Sequence, residues 1–171
     1  MMRKLLAATL IGMVLAAPAA HALSCEPHSV VADYWRYQER AETYLPVWGK
    51  LTNFSKTRKD KADRTLLGSE TKFSVYTATF AGFRASGTGF DEPFETEVTL
   101  VFPDFSMIGG GYDTADAVDM LPGLEGLVWL MQTDRGYQVT AELCSPLMDT
   151  DPDHRKQLLK CLGGGNCPKP G

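Results

Sequence analysis

The chain has 171 residues, of which 44% are hydrophobic and 22% are charged, and its formal net charge at pH 7 is −4. This length fits one domain of ordinary size. The acidic balance argues against sequence-independent binding to nucleic acid, because that binding depends on Lys and Arg neutralising phosphates.

Residues 1–22 have the pattern of a secretory signal peptide. Two basic residues precede an apolar run over residues 5–17, and Ala20 and Ala22 are small residues at the two positions that a signal peptidase reads. The run is shorter than the roughly 20 residues that span a bilayer, and no later segment is apolar for long enough. We therefore predict no transmembrane segment and a single mature domain over residues 23–171, located in the periplasm or outside the cell.

An alternative processing route centres on Cys25. The residues before it, Ala22, Leu23 and Ser24, loosely resemble the cleavage box of bacterial lipoproteins, whose cysteine receives the lipid. That box carries Leu at the position that Ala22 holds here. Lipid anchoring at Cys25 is therefore the alternative to cleavage after Ala22.

All four cysteines follow the signal peptide. An even number in an oxidising compartment predicts disulfides. Cys161 and Cys167 lie six residues apart around three glycines, which suits a small local loop and leaves Cys25 to pair with Cys144. In the chain-entropy model the longer closure contributes about 4–5 kcal/mol. Zinc is the competing use, but neither a Cys-x-x-Cys nor a His-rich spacing supports it. We predict two disulfides, no metal and no cofactor.

The first predicted element is a helix over residues 27–42. Pro27 suits its first turn, and apolar residues follow at helical spacing. The side chains that this spacing directs towards a sheet are Val31, Tyr34, Trp35 and Gln38.

Strands are predicted over residues 43–54, 71–84 and 93–102. In the first, Gly49 indicates a tight bend. In the second, Gly82 is the first of the glycines expected to end the strand. In the third, alternation predicts one apolar face and a solvated glutamate face. The apolar face consists of Phe94, Thr96, Val98, Leu100 and Phe102.

Two segments between the predicted strands have more than one possible role. The basic, polar segment over residues 55–64 is predicted to be a solvated loop, and its alternative is a local site for an anionic partner. The connection over residues 103–123 is a candidate recognition surface because loops of about 20 residues are often functional. An enzyme would use its carboxylates, Asp113 and Asp116 among them.

The last hairpin and the last helix have the clearest sequence signals for where a turn, a helix start and a helix end lie. Residues 126–144 read as two strands around Asp134-Arg135-Gly136, closed by a left-handed glycine. On the outgoing strand Tyr137, Val139, Ala141 and Leu143 share a face, and Cys144 lies on the other. Asp151 and Pro152 then open a helix that ends at about residue 162, with Gly163 as its stop.

Catalytic and metal motifs are weak. The acids from Asp149 to Asp153 have a calcium-loop spacing, but His154 and Lys160 stand where that loop needs Gly and Glu. Acids at a helix N-terminus complement the helix dipole instead. No nucleophile motif accompanies His28 or His154, so we predict a protein that is not an enzyme.

The predicted strand order, with a long connection before the last two strands, indicates a mainly β fold with flanking helices, a five-stranded OB-type Greek-key barrel. Cys25-Glu26-Pro27 resembles the Cys-x-Pro near the start of the tissue inhibitors of metalloproteinases and netrin-type modules. The strand that ends at Cys144, Asp149-Thr150 and the helix with Gln-Leu-Leu resemble the end of that module. The resemblance implies the same barrel, and it implies that Cys25 and Cys144 are disulfide-bonded.

In that family the first residue is a cysteine that grips the protease's zinc, whereas Leu23 stands first here. We therefore expect a non-enzymatic binding module for an unknown protein partner. One alternative is a metalloprotease inhibitor that binds an exported protease through its mature N-terminus, and a second is a hydrolytic enzyme using loop carboxylates. The predicted partner-binding residues are Leu23, Ser24, Glu26, Pro27, His28, Ser145 and Pro146.

Overall fold

The computed structural model describes residues 27–66, 69–87, 89–103, 118–142 and 145–169. In this part of the chain five strands and two helices follow one another. They are α1 Val30–Gln38, β1 Tyr44–Leu66, β2 Ser69–Ala85, β3 Phe90–Pro103, β4 Glu125–Thr133, β5 Gly136–Thr140 and α2 Pro152–Leu162.

The five strands form one closed sheet. β1 pairs antiparallel with both β2 and β4, β2 pairs antiparallel with β3, β4 pairs antiparallel with β5, and β3 runs parallel to β5. Every strand therefore has two neighbours, in the order β1-β2-β3-β5-β4, and β4 returns to β1. The predicted mainly β fold of five strands with two flanking helices is confirmed.

The interior of the sheet is filled by alternate residues of each strand, as the period of two requires. The predicted apolar face of β3 is confirmed, since Val98, Leu100 and Phe102 are buried and Phe94 packs against them. The predicted inner face of β5 is confirmed in part, since Val139 is buried in this core with Tyr137 and Ala141 beside it. The strand ends at Thr140, earlier than predicted, and Leu143 lies outside the described residues. The largest fully buried side chains of the core are Phe80, Leu51, Leu100, Leu130, Val47, Val98 and Val128.

β1 and β2 approach closely where two glycines face each other. Gly49 is paired with Gly82, and a Cβ built on Gly49 would lie 2.7 Å from the Gly82 Cα and 2.4 Å from the Ala81 carbonyl oxygen. Gly49 thus lies where the backbones of β1 and β2 approach too closely for a side chain. The prediction that Gly82 ends its strand is wrong, because the glycine belongs to the ladder and β2 continues to Ala85.

The prediction of a loop over residues 55–64 is wrong. This segment continues β1, and the hairpin with β2 extends until Leu66 pairs with Ser69. Main-chain hydrogen bonds can form a strand even where its side chains are polar. The side chains of Lys56 and Thr57 are exposed on this strand. The register shifts three times along the hairpin, which a pattern of side chains does not reveal.

Helix α1 is shorter than predicted, and its inner face matches the prediction only in part: Val31 and Tyr34 pack against the cluster between the helix and the sheet. The helix begins after Ser29, whose Oγ accepts a hydrogen bond from the Ala32 N–H at 3.3 Å. Val30 and Asp33 are buried, whereas Gln38, predicted to face the sheet, is exposed. The helix starts three residues later than predicted. The carboxylate of Asp33 lies on its inner face and forms an ion pair with Arg36 of the same helix.

A second apolar cluster lies outside the barrel, between β4, β1 and the two helices. Its buried members are Val30, Trp48, Phe90, Leu127, Trp129 and Leu158. Asp151 caps α2 by accepting from the Asp153 N–H, and Gly163 ends it, as predicted. The predicted disulfide between Cys161 and Cys167 is present, and the Trp35 indole donates to the Cys167 carbonyl at 3.2 Å. Among the described helices, none is long and apolar enough to cross a membrane.

Candidate functional site

The predicted partner-binding residues divide into two groups. Leu23, Ser24 and Glu26 lie outside the described residues, as do Cys25 and Cys144 of the second predicted disulfide and most of the 103–123 connection. Pro27 is exposed. The three others, His28, Ser145 and Pro146, line one cavity of about 610 Å³, although His28 precedes the other two by more than a hundred positions.

This cavity, called the outer cavity below, lies between α1, the connection over residues 145–149 and the outer surface of the barrel. Its lining residues on β3 and β4 alternate with the core residues of those strands and therefore face away from the barrel interior, whereas Val139 and Leu147 also contact the core. The apolar side chains include Val101, Leu127, Trp129, Met131 and Leu147. The acidic and basic side chains of the same cavity are His28, Asp33, Arg40, Glu42, Glu142 and Asp149.

An ion-pair network closes one side of the outer cavity. Arg36 donates to Glu142 with an Nη1–Oε2 distance of 2.7 Å and also pairs with Asp33. Arg40 donates to the other oxygen of Glu142 at 2.9 Å, and Arg36 Nη2 lies 3.4 Å from the Ser145 hydroxyl. The network ties α1 to the segment that follows β5.

Burial changes the acidity of two groups on α1. It raises the pKa of the Asp33 carboxyl, although the neighbouring Arg36 opposes that shift. Burial, with a contribution from Glu142, raises the pKa of Tyr37 to about 12. Both effects follow from the lower polarity of the space between helix and barrel, which disfavours the charged form of an acid.

A cluster of His28, Asp149 and His154, called the His–Asp–His cluster below, lies at the end of the outer cavity. His28 Nε2 is 3.0 Å and His154 Nδ1 is 2.7 Å from the same Asp149 Oδ2. The two rings meet edge to face at 68°, with centroids 5.4 Å apart. The side chains of His28, Asp149 and His154 are 20%, 10% and 23% exposed, so solvent reaches the cluster.

Backbone contacts hold the central carboxylate. Asp149 forms an isolated bridge with Leu127 of β4, in which its N–H donates at 2.9 Å and its carbonyl accepts at 2.7 Å. Gly126 permits this approach, because a Cβ there would lie 2.6 Å from the Asp149 carbonyl oxygen. The other carboxylate oxygen, Oδ1, accepts from the Asp151 N–H at 3.0 Å.

Sequence reasoning missed this cluster. It assigned Asp149 to the start of a helix, and it considered His154 as a departure from a calcium loop and as a base without a nucleophile. The sequence carries one pertinent signal, namely that His28 and His154 are the two histidines after residue 22. Their partner gives no local pattern, since His28 and Asp149 are 121 positions apart.

Comparisons of this chain with protein-family models, with curated proteins and with solved structures find no match.

Proposed function

We propose that the protein is an exported, non-enzymatic binding module on an OB-type barrel, and that it binds a protein partner at the outer cavity. The observation that carries this proposal is the convergence of His28, Ser145 and Pro146 on one concave surface. Those residues were selected from the sequence for a different reason, their proximity to the expected Cys25–Cys144 bond.

The OB-type assignment is supported by the strand order. The sheet is closed by β1 with β4, and β3 runs beside β5 in parallel. A five-stranded Greek-key barrel in which the last two strands return across the first three is the arrangement expected of this fold. Export is supported by the pattern of residues 1–22 and by the Cys161–Cys167 disulfide, which persists in an oxidising compartment.

The lining of the outer cavity favours a partner segment with an apolar side chain next to a charged group. Ligand sites combine a mostly apolar concave surface with a few placed polar groups. Here Val101 and Met131 provide apolar surface, while Arg40 and Glu142 provide paired charges at the edge. An apolar anchor that enters such a pocket contributes most of the binding energy, and the charges around it select the partner.

The test compares two matched substitutions at exposed threonines. Thr140 lines the outer cavity on β5, and Thr52 lies on β1 and is not part of its lining. Affinity purification from an exported-protein fraction should enrich the same partner with the wild type and with Thr52→Arg. Thr140→Arg should lose it, because a long cation then occupies the opening. Equal capture by all three proteins would show that the outer cavity is not the binding surface.

Metalloprotease inhibition through Leu23 is a separate proposal, because that residue lies outside the described part of the chain. A zinc-protease inhibition assay on protein with a verified Leu23 N-terminus tests it. Inhibition that persists in Thr140→Arg would place the inhibitory contact away from the outer cavity.

A further inference from the structure

We propose that the His–Asp–His cluster is a binding site for a divalent transition metal ion of the zinc type. Two imidazoles and one carboxylate are the ligands that such ions take in three-ligand protein sites. The proposal does not depend on the identity of any protein partner.

The distances suit this chemistry. Among the described residues, these three side chains offer one ligand atom each, and those atoms lie within 4.8 Å of one another. Ligands bound about 2.0–2.1 Å from a tetrahedral zinc are roughly 3.3 Å apart. The nitrogen–oxygen separations of 3.0 Å and 2.7 Å lie a few tenths of an ångström below this value. The two ring nitrogens, within 4.8 Å of each other, would approach by up to about 1.5 Å to bind one ion.

The surroundings of the two rings support the same conclusion. Metal-bound histidines generally present their second nitrogen to a carboxylate or carbonyl, which fixes the ring and raises its basicity. His28 Nδ1 lies 3.6 Å from Asp33 Oδ2, and His154 Nε2 lies 3.9 Å from Asp151 Oδ2. Each histidine thus has one nitrogen at the central Asp149 and the other near a separate carboxylate.

Access and charge also fit a cation site. His28 and Asp149 line the outer cavity, which provides an entry path for the ion. The carboxylate of Asp149 bonds only the two histidines and one backbone N–H among the described residues, so it has no permanent cation as partner. A bound divalent ion would compensate this charge and join three segments of the chain.

The alternative is a purely structural clasp, in which Asp149 accepts hydrogen bonds from the two rings and no ion binds. A structural clasp and a metal site predict different responses of the protein to added metal. A clasp is lost on substitution whether or not metal is present. A metal site raises the melting temperature of the wild type in proportion to the logarithm of metal concentration above Kd, and variants that lack a ligand do not respond.

The experiment uses the full exported protein without an affinity tag, with thiols blocked and metal removed by a chelator. Zinc is titrated by calorimetry, and cobalt is titrated while its visible absorption bands are recorded. The variants are Asp149→Asn and His154→Gln. Asp153→Asn serves as the control, because that exposed acid pairs with Lys156 and is not part of the cluster.

The wild type and the control should bind one ion per chain with the same affinity, and the two ligand variants should lose more than about 100-fold. Asp33→Asn should lose about 10–100-fold, as outer partners of metal ligands typically do. Circular dichroism checks the fold of each variant, and His154→Gln alone suffices if Asp149→Asn does not fold. Absence of one-to-one binding by the wild type would overturn the proposal, as would unchanged affinity in His154→Gln.

Discussion

Tyr37 is one of the residues through which α1 contacts the barrel. Its ring centroid lies 4.4 Å from that of Tyr44 and 4.7 Å from that of Trp129. The guanidinium groups of Arg36 and Arg40 lie 5.0 Å and 5.3 Å from the same ring. Stacking of aromatic rings and cation–π contacts thus hold the helix against β1 and β4, beside the outer cavity.

The buried phenol predicts a late step in the alkaline titration. Tyr37 should ionise at a pH of about 12, above the ordinary value of 10.0. Because its folded-state pKa is raised, its contribution to stability is complete below pH of about 10 and declines as pH approaches 12. Ultraviolet absorbance of the phenolate measures this step, and Tyr37→Phe should remove it.

Unfolded protein in guanidinium is the control for that titration, because all six tyrosines should then titrate together. Survival of the late step in Tyr37→Phe would contradict the assignment.

At the scale of elements, the close approach of the paired strands β1 and β2 depends on two glycines. Gly49 and Gly82 face each other in the ladder, and the backbones approach too closely for a Cβ on either strand. The sequence singled out Gly49 because glycine inside a strand indicates a bulge or a close approach, and the structure shows the close approach with an unbroken register. Local sequence patterns did not predict which segment approaches it, since strand pairing joins distant parts of the chain.

Gly49→Ala should therefore lower the free energy of unfolding by about 1–3 kcal/mol through overpacking. Thr52→Ala, on an exposed position of the same strand, should change it by less than about 0.5 kcal/mol. Denaturant unfolding monitored by circular dichroism measures both variants. Equal stability of the two would show that the barrel wall relaxes around an added methyl group.

At the scale of the whole molecule, the two helices and the barrel meet around one apolar cluster, and a disulfide closes the segment that follows α2. The Cys161–Cys167 disulfide holds the tail after α2 where the Trp35 indole contacts it. The predicted Cys25–Cys144 bond would add a tie between the segment before α1 and the segment after β5. Such a tie would hold both predicted partner-binding segments at the same edge of the outer cavity.

The intact mass of the mature protein tests this arrangement. We expect a chain that begins at Leu23 and lacks the four hydrogens that two disulfides remove, because all four cysteines follow the predicted signal peptide. Proteolysis without reduction should yield a peptide pair that joins Cys25 to Cys144. A lipid on Cys25, or a pair that joins Cys25 to Cys161, would contradict the prediction.

The sequence by itself determined the elements whose cause is local. Alternation predicted the apolar face of β3, the Asp134-Arg135-Gly136 turn predicted the last hairpin, and Asp151 with Pro152 predicted the start of α2. The short spacing of Cys161 and Cys167 predicted their bond in the same way.

Only the tertiary structure decided the extent of the β1–β2 hairpin, the buried face of α1 and the His–Asp–His cluster. Main-chain pairing carried β1 through a charged segment, and the Asp33–Arg36 pair allowed an acid to face inwards. The cluster forms because the Leu127 bridge places Asp149 where α1 and α2 converge. Within the cluster, His28 and Asp149 are 121 positions apart, and no periodic pattern along the chain records such a contact.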